Sequence, residues 1–325
     1  MFSLRFDFRL APSSPATMAD LYAASLDMAA WAEENGANNV LFSQHHASPD
    51  GYLPSPLVMA GAAAARTSSL PIAVGALLLL MYDPIKLAED IAVLDHLSRG
   101  RISYIIGLGY RDEEYAMFGV DKGNRGKLME ERIEVLQKAL AGEEFTWNGR
   151  RIHVTPKPFS ANGPVMAYGG GTPAAARRAA RFGLMFAPQT NAQRILDAYD
   201  EEATRQGHPT GMYHVLPDGY PTTLFVAKDV DKAWDRLGPY MLHDALMYGE
   251  WLGGTKASVS SAASTVDELR AEEGSYRIVT PDEAVEMINR FGSLGLQPLS
   301  GGLPPELAWE SLELIEKEVI PAVKA

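Results

Sequence analysis

IAVGALLLLMYDPIKLAEDIAVLDHLSRGRISYIIGLGY, residues 72–110, holds two apolar runs separated by a helix-period segment. The first run, about 72–79, is nearly continuous in apolar residues, as expected of a strand covered on both faces. Pro84 suits the first turn of a helix that ends near Ser98, with Gly100 just beyond it. The second run, about 102–107, closes on Gly107 and Gly109, which let the backbone turn. Strand, helix and strand in this order predict two parallel strands joined by a crossover helix.

The same alternation continues on both sides. Upstream lie strands at about 4–10 and 39–43, with a helix capped by Thr17 and ended by Gly36, and a second helix at about 54–66. Downstream, helix 126–140 precedes a hairpin at 145–154, marked by Asn148-Gly149. Strands at 165–168, 184–186 and 222–226 then alternate with helices at 173–182, 192–206 and 230–247. A helix at 281–291, a last strand at 294–299 and an amphipathic helix at 305–319 close the chain. Eight strand–helix units predict an α/β fold, a closed (β/α)8 TIM barrel with insertions forming one domain over 1–325. An open doubly wound sheet is the alternative. The Gly-, Ser-, Thr- and Ala-rich segment 248–277 is too long for an ordinary connection and is expected to be a lid.

Composition narrows the function. Lys plus Arg is 29 against 41 Asp plus Glu, a net charge of −12, which disfavours nucleic acid or an anionic membrane as the partner. Cysteine is absent, which excludes disulfides, thiolate metal sites and cysteine nucleophiles. The apolar run 73–81 falls well short of the roughly 20 residues that cross a bilayer. Residues 1–10, MFSLRFDFRL, alternate apolar with polar and lack the pattern of a secretory signal, so a cytoplasmic location is expected.

Four stretches are candidates for chemistry. His45 and His46 follow the second strand, where a parallel barrel places its active site. Adjacent residues point in opposite directions, so one imidazole is expected to face the pocket while the other packs behind it; two loop histidines satisfied by hydrogen bonds are the competing reading. With 7 His and no His-x-His or His-x-x-x-His pair, no metal site is expected. Gly169-Gly170-Gly171-Thr172 stands between a strand and the helix opened by Pro173, a pattern suited to phosphate, although Thr172 also serves as an ordinary N-cap. Gly107-Leu108-Gly109-Tyr110 is a weaker signal, since Asp112 breaks the Gly-x-Gly-x-x-Gly fingerprint. Gly75-Ala76 marks either a bulge beside a ligand or plain core packing.

SQHH at 43–46, VGALLLLMYDPIKLAEDIAVLDHLSRGR at 74–101, GLGYRDEEYAMFGVDKGNRGKLMEERIEVL at 107–136 and YGGGTPAAARRAARFG at 168–183 together resemble the bacterial luciferase-like flavin-dependent monooxygenase superfamily. GGLPPELAWESLELIEKEVIPAV at 301–323 looks like that family's closing helix, so the resemblance spans nearly the whole chain. It implies a (β/α)8 barrel with reduced flavin at the carboxyl ends of the strands. It also implies His45 as the proton-transfer residue and a nonprolyl cis peptide at Gly75-Ala76 behind the flavin ring. Leu108, Gly109 and Tyr110, with Tyr168, Gly169, Gly170, Gly171 and Thr172, match segments that line the ring and phosphate. Gly107 stands where some luciferases have a reactive cysteine, and Leu108 where they have a phosphate-contacting arginine. Light emission is thereby disfavoured, and phosphate neutralisation shifts toward Arg177, Arg178 or another base. The resemblance implies FMN, reduced by a separate flavin reductase, a small organic substrate and a homodimer. An F420-dependent hydride-transfer enzyme and a noncatalytic flavin-binding protein are the alternatives.

Overall fold

The computed structural model describes residues 1–254 and 257–324. In chain order its elements are β1 (Phe2–Phe6), α1 (Met18–Glu34), β2 (Asn39–Phe42), α2 (Pro56–Arg66), β3 (Ile72–Leu78), α3 (Pro84–Ser98), β4 (Ile102–Gly107), α4 (Asp112–Met117) and α5 (Arg125–Leu140). Then come β5 (Phe145–Trp147), β6 (Arg150–Ile152), β7 (Met166–Gly170), α6 (Pro173–Arg181), β8 (Met185–Pro188), α7 (Gln193–Gln206), β9 (Thr223–Val226) and α8 (Val230–Leu252). The chain ends with α9 (Val266–Ala271), β10 (Tyr276–Val279), α10 (Pro281–Phe291), β11 (Leu294–Leu296), α11 (Pro305–Leu314), a π-helical turn at Ile315–Val319 and α12 (Ile320–Lys324).

The chain forms two compact units. One comprises Met1–Phe42, Ser48–Leu53 and Leu216–Ala325; the other comprises Ser43–Ala47 and Pro54–Val215. In the first, five parallel strands run in the order β10-β9-β11-β1-β2. Phe2, Leu4 and Phe6 alternate into its core, and Phe6 stacks on Phe42 at 5.7 Å. Phe8 takes a left-handed φ of 60°, which ends β1 before the residue 10 expected from the sequence. Beyond it lies a buried ionic network. Arg9 is 0% exposed, meets Asp50 at 2.7 Å and Asp244 at 2.9 Å, and sits 4.1–4.7 Å from the rings of Tyr52, Tyr248 and Trp251.

The second unit is built on four parallel strands, β3-β4-β7-β8, with the small antiparallel hairpin β5-β6. Asn148 and Gly149 both have positive φ, as the Asn-Gly signal requires. Leu78 pairs with Gly107 and Ile106 with Tyr168, so β3, β4 and β7 end along one edge. The register shifts between Gly75 and Leu77, and the Gly75-Ala76 peptide is cis.

Three elements escape the sequence reading. Within 248–277, Tyr248–Leu252 completes α8, α9 follows, and β10 begins at Tyr276, where no strand was expected. Thr255 and Lys256 of that segment lie outside the described residues. The short helix α4, between β4 and α5, is the third, and it carries part of the site.

Candidate active site

The second unit gathers its polar side chains at the carboxyl edge of β3, β4 and β7. Ser43, Gln44, His45 and His46 follow β2 and are buried. Gln44 ties them to β3: its Oε1 accepts the Leu78 N–H at 3.0 Å, while its Nε2 donates to the Tyr82 hydroxyl at 2.9 Å. The backbone donor orients the amide, so Nε2 also donates to His46 Nε2 at 2.7 Å and leaves that nitrogen unprotonated. Burial foremost lowers the His46 pKa, with Glu114 opposing it. The His46 ring meets Phe118 edge-on at 4.6 Å, so His46 is the histidine packed behind.

His45 has different partners. Its Nδ1 lies 2.8 Å from Glu114 Oε1, and its Nε2 lies 3.1 Å from the Tyr110 hydroxyl. Glu114 Oε1 also accepts the His46 N–H at 2.9 Å. Glu114 is 0% exposed although it sits in the first turn of α4 with the exposed Asp112 and Glu113. Acidic residues in a first turn favour a helix through its dipole. Burial pushes the Glu114 carboxyl up, but the hydrogen bond and charge of His45, the His46 N–H and Arg111 outweigh it and hold it below its ordinary value. Arg111 is itself buried and donates to the His46 carbonyl.

The loop after β4 is held by its neighbours. Tyr115 donates to the Leu108 carbonyl at 2.6 Å, and Lys122 donates to the Tyr110 carbonyl at 2.7 Å. Gly109 has φ +78°, which only glycine adopts without strain. A Cβ on Gly107 would stand 2.6 Å from the Ala76 Cβ, so Ala76 fills the space of a side chain there. Gly75 and Ala76 are themselves half-buried in a strand whose next residues, Leu77 and Leu78, are buried.

At the end of β7, Thr172 caps α6 by accepting the Ala175 N–H at 3.2 Å. A Cβ on Gly170 would lie 2.5 Å from that of Ala175, so close helix–strand packing accounts for this glycine. Gly169 and Gly171 are half-buried. Tyr168 is 0% exposed; Arg178 donates to its hydroxyl at 3.2 Å and lies over its ring, so the structure gives this residue a packing role. Of the basic cluster, Arg178 and Arg181 both pair with Glu130, while Arg177 is exposed. Among the described residues no three His, Asp or Glu side chains gather to hold a metal ion, and no helix is long and apolar enough to cross a membrane.

The site residues singled out from the sequence thus all belong to one unit: the histidine loop is tied to the end of β3, Gly75-Ala76 lies within β3, and the 107–110 and 168–172 segments close β4 and β7. Gln44, Glu114 and Arg111 were not singled out. For Glu114 the available signal was helical phase, since i, i+4 spacing puts it on the same face as Phe118.

A family model described as luciferase-like monooxygenase matches residues 3–297. The alkanal monooxygenase alpha chain of the Kryptophanaron alfredi symbiont is 26% identical over 90% of both chains. The first curated relatives matched are spanned for only 39–43% of their own length. Monooxygenase RslO1 from Streptomyces bottropensis superposes with a TM-score of 0.77 at 25% identity, over 99% of both chains. The oxygenating constituent of 3,6-diketocamphane monooxygenase from Pseudomonas putida, solved with FMN, gives 0.74 at 21%, over 99% of this chain and 98% of that one. The F420-dependent tetrahydromethanopterin reductase of Methanopyrus kandleri gives 0.65 at 17%, over 99% of both. These likenesses show the α/β TIM-barrel fold expected from the sequence. By the match across nearly all its length, the chain belongs to the luciferase-like monooxygenase family.

Proposed function

We propose that the protein is a flavin-dependent monooxygenase that uses reduced FMN and O₂ to oxygenate a small organic substrate, with His45 assisting proton transfer. The observation that carries the reading is the buried His45, set between Glu114 and Tyr110 in the unit that also holds Gly75-Ala76 and the β7 turn. The residues fit a flavin: half-buried Gly75 and Ala76 leave one face of β3 without bulk, Gly107 at the end of β4 lies against Ala76, and Leu108, Gly109 and Tyr110 form the loop that follows. Tyr168 supports the turn Gly169-Gly170-Gly171-Thr172, whose backbone N–H groups and helix start suit a phosphate. Thr172 accepts from Ala175 and keeps its own hydroxyl proton to donate. With Arg178 and Arg181 engaged by Glu130, phosphate charge falls to these N–H groups and to Arg177.

Reduced FMN, when bound, supplies the electrons by which one atom of O₂ enters the substrate and the other leaves as water. The chain's own part is to orient, to exclude water and to move protons. Gln44 and His46 fix the loop; Glu114 anchors one side of His45; His45 Nε2 takes or returns a proton through the Tyr110 hydroxyl. The same reading takes the chain as one cytoplasmic luciferase-like domain served by a separate flavin reductase, with a lid confined to the stretch that joins α8 to β10, since Tyr248–Leu252 and Tyr276 belong to those core elements. A homodimer fits the apolar side chains that α2 and α3 expose: Val58 at 69%, Val93 at 55% and Leu97 at 50%. The F420-dependent relative of the same fold motivates the second reading, hydride transfer with deazaflavin. Anaerobic titration with reduced FMN and with F420, followed by oxygen uptake with a reductase and candidate substrates, separates the two. Selective FMN binding with substrate-coupled oxygen uptake supports the first reading, and tight F420 binding without oxygen uptake supports the second.

A further inference from the structure

We propose that Glu114 is the positioning residue of the site: it holds His45 with its proton on Nδ1, so that Nε2 is the nitrogen that exchanges protons, through the Tyr110 hydroxyl. The inference rests on the reading of His45 as the proton-transfer residue.

A carboxylate only accepts hydrogen bonds. One oxygen of Glu114 faces two donors, the His46 N–H at 2.9 Å and His45 Nδ1 at 2.8 Å, so Nδ1 carries the hydrogen. With Nδ1–H committed, neutral His45 has a lone pair only on Nε2, and the Tyr110 hydroxyl donates into it at 3.1 Å. The Tyr110 and His45 rings meet edge-on, 5.2 Å apart at 69°, a contact that orients the plane of the imidazole. The anchor is rigid. Glu114 is wholly buried, its backbone belongs to α4, and the His46 N–H that shares its oxygen is one residue from the ring it orients. The charge matters in addition to the shape: when His45 takes up a proton, an ionised partner within hydrogen-bond reach stabilises the imidazolium. Further charged or titratable groups near the pair are His46, on the same loop, and Arg111 and Tyr115, at the start of α4 and within it. His46 is occupied by the Gln44 amide, and Arg111 by the His46 carbonyl.

The test reads the ring directly. In ¹⁵N-histidine-labelled protein without cofactor, with His45 assigned by its loss in His45→Ala, the wild type is expected to show the Nδ1–H tautomer. Glu114→Gln keeps an oxygen acceptor but removes the charge, and is expected to keep the tautomer while moving the His45 titration down by about one pH unit or more. Glu114→Ala removes the acceptor and is expected to release the tautomer. In turnover, Glu114→Gln should lose about 10–100-fold in kcat with cofactor affinity unchanged and shift the pH profile the same way. A proton on Nε2 in the wild type would overturn the proposal, and so would titration and tautomer unchanged in both variants. The wild-type spectrum decides the first point whatever the variants' stability. Absence of turnover with either cofactor, beside an intact Nδ1–H spectrum, would count against the proposed reaction and leave the anchoring role standing.

Discussion

His45 and Asp7 are both buried titratable residues, and their surroundings set them different tasks. His45 ends in hydrogen bonds at both nitrogens, and in the proposed reading this pair of contacts lets it pass protons. Replacing it with Ala is expected to lower turnover about 10²–10⁴-fold and to leave cofactor affinity within a few fold, as measured by steady-state kinetics beside cofactor titration. Loss of affinity with turnover preserved at saturation would assign it to binding instead. Asp7 belongs to the ionic network of the first unit. Burial foremost, then Asp244, raises its pKa from 3.8 to about 7 against the pull of Arg5 and Arg9. The folded chain then holds a proton that the unfolded chain releases, so this residue's contribution to stability is full below pH 3.8 and falls as the pH rises toward about 7, levelling above it. Asp7→Asn is expected to narrow the fall in Tm between pH 5 and pH 8 in calorimetry, and an unchanged fall would contradict the assignment. The sequence pointed to His45 because it stands at a strand end, a position with meaning in any parallel α/β fold. Glu114 was hidden in the run Asp112-Glu113-Glu114, where only the phase of a six-residue helix decides which carboxylate turns inward. Asp7 and Arg9 were hidden for a related reason, since alternation in FDFRL reads as one polar face and does not reveal that Asp50 and Asp244 come to meet it.

At the scale of elements, β3, α3 and β4 were legible because strand, Pro-started helix and strand each carry their own signal, and the hairpin was legible through Asn148-Gly149. Elements that depend on neighbours were not. β10 is four residues at the end of a Gly- and Ser-rich stretch and gains its place by pairing with β9, and α9 is six residues long. The contact between β3 and β4 makes its own prediction. Gly107→Ala is expected to destabilise by about 1–3 kcal/mol, because its Cβ would meet that of Ala76 at 2.6 Å, and Ala76→Gly in the same chain should recover part of the loss. Additive effects in chemical denaturation would mean that the strands shift to make room. Thr172→Ala should cost about 1 kcal/mol through the lost cap of α6, whether or not the turn binds phosphate.

At the scale of the molecule, eight repeats of strand and helix foretold the α/β fold, and four stretches between 43 and 183 foretold the family, now shown by a match over residues 3–297. Substrate and cofactor are less legible, because one scaffold serves FMN in the diketocamphane enzyme and F420 in the reductase. The proposed preference for FMN rests on the β7 turn and its arginines, of which Arg178 and Arg181 share Glu130 and Arg181 also meets Glu202, while Arg177 is exposed. The decisive measurement is anaerobic calorimetric titration of the protein with reduced FMN and, separately, with reduced F420. Saturable binding of FMN at least tenfold tighter than F420 is expected, abolished by bulky substitution at Ala76. Tighter binding of F420, or no binding of either, would contradict the account.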